Sequence, residues 1–203
     1  MVPAPTPRSI AFQDLQDRAK RAYLGRVLVQ VVHPSDKAPY IISFGEWNDR
    51  ALKNTVIQQM EKEFSSQDGC LSRRHPIPLC LSEMDIANSK EFLHNCSESS
   101  AIIPMLQLNP QRTGSAAILN IQAFSGHHRV TSARMAAKKL TERVEKAEAA
   151  WEGAERGGAG AADIEEYKAA LDAAQNHLHA VCNWSADIYS DGAVTTALSH
   201  KSY

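Results

Sequence analysis

The sequence predicts a small α+β (α/β) domain: a mixed β-sheet flanked by helices, with a helical hairpin protruding from it. Three observations lead there. Short runs rich in β-branched and apolar residues recur along the first two thirds of the chain. Stretches with apolar residues at helical spacing lie between them. Beyond Leu140 the composition shifts to Ala, Glu, Lys and Gln in two blocks separated by Gly157-Gly158-Ala159-Gly160, the pattern of two helices joined at a glycine turn.

The elements follow in order. Residues 1–9 carry Pro3, Pro5 and Pro7, whose fixed φ and missing donors oppose regular structure. A short helix is predicted over Phe12–Leu24 and a strand over Arg26–Val32. His33–Pro39 reads as a loop and Tyr40–Phe44 as a second strand. Asn48 or Asp49 can cap a helix over Ala51–Phe64, where Leu52, Val56, Ile57, Met60 and Phe64 keep helical spacing. Gln67-Asp68-Gly69 would end it. Ile77–Leu81 is a strand beside Pro76 and containing Pro78, and Asp85–His94 a helix. Ala101–Leu108 contains Pro104, which confines it to an edge or a bulge. After a turn over Asn109–Ser115, Ala117–Phe124 forms a strand and Val130–Leu140 a helix. The hairpin comprises 141–152 and 162–182. Its second arm has an apolar stripe of Ile164, Tyr167, Leu171, Ala174, Leu178 and Val181, and Asp163 with Glu166 can start it as a capping box. Trp184–Tyr189 alternates as a last strand. The chain then stops without a closing signal, so it is expected to be a piece of a longer protein. The organisation reads as a leader and short helix (1–24), a core (25–140), a helical hairpin insertion (141–182) and a C-terminal strand region (183–203).

Composition excludes several function classes. A formal net charge of −1 gives no bulk attraction to nucleic acid or acidic membranes. No run approaches the roughly 20 apolar residues of a membrane span, and the proline-rich start lacks the apolar core of a secretory signal. Cys70, Cys80, Cys96 and Cys182 include no C-x-x-C pair, so reduced thiols and a cytoplasmic or nuclear setting are expected, and no zinc site. His94-Asn95-Cys96 and His177-Leu178-His179 have metal-like spacing but read as packing or surface residues. Neither G-x-x-x-x-G-K-[ST] nor G-x-G-x-x-G occurs.

Chemistry concentrates at Phe124-Ser125-Gly126-His127-His128-Arg129, between a strand and a helix start. The first helical N–H groups have no internal partner, and the helix dipole adds partial positive charge there. Arg129 offers a planar fork suited to phosphate, and the two histidines can donate or exchange protons. Thr131 and Ser132, in the first turn, can reach a phosphate or simply cap. Trp47 and Trp184 can stack a base, although core packing is the ordinary role for each.

The arrangement resembles the ParB N-terminal/sulfiredoxin-like superfamily. Phe124, Gly126, His128 and Arg129 match the Phe-Gly-Gly-Cys-His-Arg signature of sulfiredoxins. Gly126, Arg129 and Ala133 fit the Gly-Glu-Arg-Arg pattern of ParB-type CTPases. Gly126-His127-His128-Arg129 is similar to the Asp-Gly-His-His-Arg of relatives of the free-serine kinases, with Ser125 in place of the aspartate. The chain looks most similar to the eukaryotic, mainly fungal, branch. The specific match covers about ten residues.

The resemblance implies a nucleotide phosphate cradle formed by Gly126, His127, His128 and Arg129. It also implies that a preceding helix touches the nucleotide. Arg50, Lys53 and Asn54 stand at i, i+3 and i+4 there, so Arg50 and Lys53 would face the phosphates or base, unless that face is merely solvated. Glu46, just ahead, could bind Mg²⁺ or act as a base, or serve only as a partner of the helix dipole. His127 and Glu46 are the candidate catalytic residues. The expected ligand is ATP or another nucleotide with Mg²⁺ bridging its phosphates, and the expected activity is NTP hydrolysis or phosphoryl transfer. The alternative is a catalytically degenerate interaction module that takes a protein partner through the 141–182 hairpin. Sulfiredoxin-type reduction ranks last, because His127 stands where a cysteine is needed. DNA is disfavoured as a partner, since no helix-turn-helix or basic surface is evident.

Overall fold

The computed structural model describes residues 16–33, 38–45, 52–66, 75–92, 102–111 and 118–191. Its elements are a helix α1 over 16–22, strand β1 (Tyr23–Gln30), β2 (Tyr40–Phe44), helix α2 (Asn54–Ser65), β3 (Ile77–Leu81), β4 (Leu119–Ala123), helices α3 (His127–Arg156) and α4 (Ala161–Cys182), and β5 (Asn183–Ser190). The five strands form one mixed sheet in the order β1-β5-β3-β4-β2. β1 with β5 and β3 with β4 are antiparallel, whereas β3 with β5 and β2 with β4 run parallel. The fold is therefore α+β, as the alternation of short apolar runs and helical spacing predicts.

Burial explains the strand patterns. β1 buries alternate residues, Val27 and Val29, as a strand covered on one face does. β5 lies inside the sheet, and its residues from Asn183 to Ala186 are all buried, so the period-two pattern is lost. Across β1 and β5, Arg26 faces Asp187 and holds its carboxylate with both Nε and a terminal nitrogen, at 2.8 and 3.1 Å. Trp184 is 1% exposed and donates its indole N–H to the Val181 carbonyl at 2.8 Å, so the one polar atom of the largest core side chain is satisfied.

β1 and β2 stand at opposite ends of the strand order, yet they meet at one corner. The Tyr40 hydroxyl accepts the Gln30 N–H at 2.7 Å, and the His33 ring stands edge-on to Tyr40 at 5.0 Å. The sheet is thus strongly coiled, as right-handed strand twist encourages. The outer edge of β1 is covered by the segment through Met105. Leu28 donates to the Pro104 carbonyl and accepts from the Leu106 N–H, both at 2.8 Å. A proline is tolerated there because only its carbonyl is needed.

α3 joins the core through Val130, Ser132, Ala133, Ala136, Ala137 and Leu140. Along its length α3 packs closely against α2 and α4. With 30 residues it is about 45 Å long at 1.5 Å per residue, and from 141 onward none of its residues is buried. That outer half packs beside α4, which returns through a turn at Gly157 and Gly158 and feeds β5.

Several sequence expectations need correction. The first helix ends at Ala22 and β1 begins at Tyr23, because β1 pairs along its whole length with β5. α2 begins at Asn54, not Ala51, with Lys53 as N-cap, so Lys53 stands ahead of the helix rather than on its face. The proposed caps Asn48 and Asp49 lie outside the described residues. Of the helix expected over Asp85–His94, the described part, 85–92, is not α-helical: two short 3₁₀ turns, Glu83–Asp85 and Ser89–Glu91, flank a bridge between Ile86 and Leu108. There Asn88 competes for the backbone, its side chain bonding the Met105 carbonyl and the Gln107 N–H. Residues 102–108 contribute bridges rather than a full strand. α4 starts from Gly160 without any side-chain cap, so Asp163 and Glu166 form no capping box.

Candidate functional site

The glycine turn is built by β4 and its neighbour β3. Phe124, just past β4, donates its N–H to the Pro78 carbonyl at 3.0 Å. The chain then turns at Gly126, which has φ +96° and is the N-cap of α3. A Cβ there would meet Ile77 and Arg129 at an ordinary 3.5 Å, so the left-handed backbone, not crowding, is what calls for glycine. The Gly126 carbonyl accepts the Val130 N–H at 2.9 Å and closes the first turn. Among the described residues no side chain caps α3, and no acidic residue stands in its first turn. The amides of His127, His128 and Arg129 are therefore without an intrahelical acceptor, at the positive end of a long helix dipole.

The three side chains that follow point to different places. The His127 ring stacks on Phe44 of β2, with centroids 4.4 Å apart and 20° between planes. Burial, then the neighbouring His128 and Arg134, lower its proton affinity, so the ring is neutral at physiological pH. His128 turns toward α2: its Nε2 accepts the backbone N–H of Lys53 at 3.0 Å, which puts the ring proton on Nδ1. This is the task of a capping-box side chain, done here by a residue from another helix. Arg129 runs back into the fold. Its guanidinium donates to the His75 carbonyl and lies 6.0 Å from the centre of the Trp184 ring. Burial lowers its proton affinity, but a guanidinium keeps its charge.

Ser132 completes the join between α3 and α2. Its hydroxyl lies 2.7 Å from the His128 carbonyl and 3.1 Å from the Ile57 carbonyl, and it is fully buried. Thr131 is half-buried beside it. Lys53 is brought against the motif through its backbone, with its side chain exposed. Glu46, Trp47 and Arg50 lie outside the described residues. Trp184 is enclosed in the core and closed to a nucleobase. Cys80, on β3, has its thiol pushed up to about 11 by burial and by Asp191, so it is not a thiolate at neutral pH. His177 bonds the Phe64 carbonyl at 2.9 Å while His179 bonds Asn183, because residues two apart on a helix face different ways.

Among the described residues no cluster of three metal-type ligands occurs, and no helix is long and apolar enough to cross a membrane. One cation escaped the motif-based reading. Arg134 lies close enough to both His127 and His33 to lower their proton affinity, and its only sequence signal is a place one turn beyond Val130 on α3. The chain matches no family model, no curated protein and no solved structure.

Proposed function

We propose that the chain is a nucleotide-binding domain whose phosphate site is the start of α3. The observation that carries this is the helix N-terminus at Gly126, which among the described residues has a left-handed glycine, three amides beyond the reach of an intrahelical acceptor, no capping side chain and no carboxylate in the first turn. Such an end favours an anion through directed N–H groups and the helix dipole together. His127, Lys53 and Arg134 supply imidazole and positive charge around it. The resemblance of Gly126-His127-His128-Arg129 to nucleotide sites supports a nucleotide over a simple anion. Mg²⁺ would arrive with the phosphates, as ATP carries it. A neutral His127 is suited to accept a proton from an attacking hydroxyl or water, which is the role a hydrolase or phosphotransferase would require.

A second reading is an interaction module of the same fold. It rests on a different observation: His128 and Arg129 are already engaged inside the molecule, and the outer half of the hairpin offers a solvent-facing arm with Tyr167 43% exposed.

A thermal-shift panel of ATP, ADP, CTP and GTP, with and without Mg²⁺, separates the two. At about 100 times its Kd a ligand stabilises by roughly 2.7 kcal/mol, several degrees for a chain of this size. The nucleotide reading expects such a shift for at least one nucleotide, reduced in Lys53→Gln and His127→Ala. Absence of any shift would reject it in favour of the interaction module.

A further inference from the structure

A second place on α3 has the chemistry of a ligand site, and its argument does not depend on the reading above. Where α3 and α4 pass the end of β1, they leave a groove of about 400 Å³, the size range of small-molecule sites. Its floor is apolar, with Ala137 and Leu178. Its polar lining includes Arg134 and Lys138, one turn apart on α3, with His33 after β1 and His179 on α4, and no aspartate or glutamate among the described residues. A recess of about 270 Å³ adjoins it, sharing His33 and Arg134 and running against Tyr40 and Ile42.

The state of these groups points to an anion. Surface cations on helices commonly meet a carboxylate, as Lys139 of α3 meets Glu61 of α2 at 3.0 Å. Among the described residues Arg134 and Lys138 have no such partner, although both are exposed. The His33 Nε2 is buried and has no hydrogen-bond partner, a state that costs free energy until something fills it. The Nδ1 of His179 lies 3.2 Å from the Asn183 side-chain nitrogen. It can only accept from that amide, so its Nε2 carries the proton and is a donor. Among the described residues the lining thus offers two cations and two imidazoles with no carboxylate beside them.

We propose that this groove binds an anionic small molecule with an apolar body, its carboxylate or phosphate held among Arg134, Lys138, His33 and His179. The floor accounts for the apolar body, and the unpaired Arg134 and Lys138 with the two imidazoles for the charge. Arg134 also stands near His127, so a ligand here adds negative charge beside the start of α3.

The test is a titration of the full chain, followed by the ring Cε1–H resonances of His33 and His179. The probes are phenyl phosphate, benzoate and uncharged benzamide. The proposal expects saturable shifts of both histidines with at least one anion, at a dissociation constant near or below about 1 mM, and none with benzamide. Saturation by phenyl phosphate alone assigns a phosphate ligand, and saturation by benzoate assigns a carboxylate. The double variant Arg134→Gln/Lys138→Gln, at exposed positions that leave the fold intact, should weaken binding at least ~10-fold. His127→Ala should leave it nearly unchanged, which separates this groove from the start of α3. No saturation below about 10 mM, equal shifts with benzamide, or undiminished binding by the double variant would overturn the proposal.

Discussion

In the first turn of α3, His128 and Arg129 are engaged inside the molecule; one and two turns further on, Arg134 and Lys138 are not. His128 caps α2, and Arg129 ties the turn to the His75 carbonyl and the Trp184 ring. Arg134 and Lys138 line a groove without meeting a carboxylate there. The contrast teaches that a motif can be rich in functional residue types while its side chains hold the fold. What remains for a ligand at the motif is chiefly backbone: three amides at a helix end, with His127 at their side. The plainer stretch downstream keeps its charges free because nothing in the core requires them.

The contrast can be broken by substitution, and the sizes should rank accordingly. Arg129→Ala is expected to cost the most, about 1.5–3 kcal/mol, since it removes a charged hydrogen bond to the His75 carbonyl and the guanidinium beside the Trp184 ring. Gly126→Ala should cost about 1–2 kcal/mol, the strain of a left-handed backbone on a residue with a Cβ. His128→Ala should cost about 1 kcal/mol through the lost cap of α2. Arg134→Gln and Lys138→Gln should stay within about 0.5 kcal/mol. Urea denaturation measures all of these, and a costly Arg134 variant beside a neutral Arg129 variant would invert the comparison.

The smallest expected effect is on pH dependence. The proton affinities of His33 and His127 are both lowered in the native state, in each case first by burial. Above about pH 6.5 both are neutral whether folded or not. As the pH falls through that value the unfolded chain binds protons first, so native stability declines on the acid side. The urea midpoint should therefore drop between about pH 7.5 and about pH 5.5, and drop less in His127→Asn. An unchanged or rising midpoint would place these rings in contact with a carboxylate instead.

Most of the architecture was legible because it depends on patterns of period and composition. Ile77–Leu81 and Tyr40–Phe44 read as strands from their own residues. The hairpin was marked by glycines and a change in composition. The glycine turn at the start of α3 was also legible, since strand, glycine and helix formers follow in order. What failed was set by distant partners. The N-cap of α2, Lys53, is held by His128, 75 positions away, a partner outside any local pattern. The segment after Asp85 has helical residues but serves residues 102–108 through Asn88. The inward course of Arg129 follows from the packing of Trp184 on β5, which no local spacing encodes. The groove was missed for the same reason, as its four donors come from three separate elements.

The most direct test of the central claim is a ¹H–¹⁵N titration with pyrophosphate, observing the amides of His127, His128 and Arg129. Binding at the bare start of α3 predicts saturable downfield shifts of these three amides together, while the indole N–H of Trp184 stays in place. Amides that remain unmoved as pyrophosphate is added, or shifts confined to His33 and His179, would contradict it.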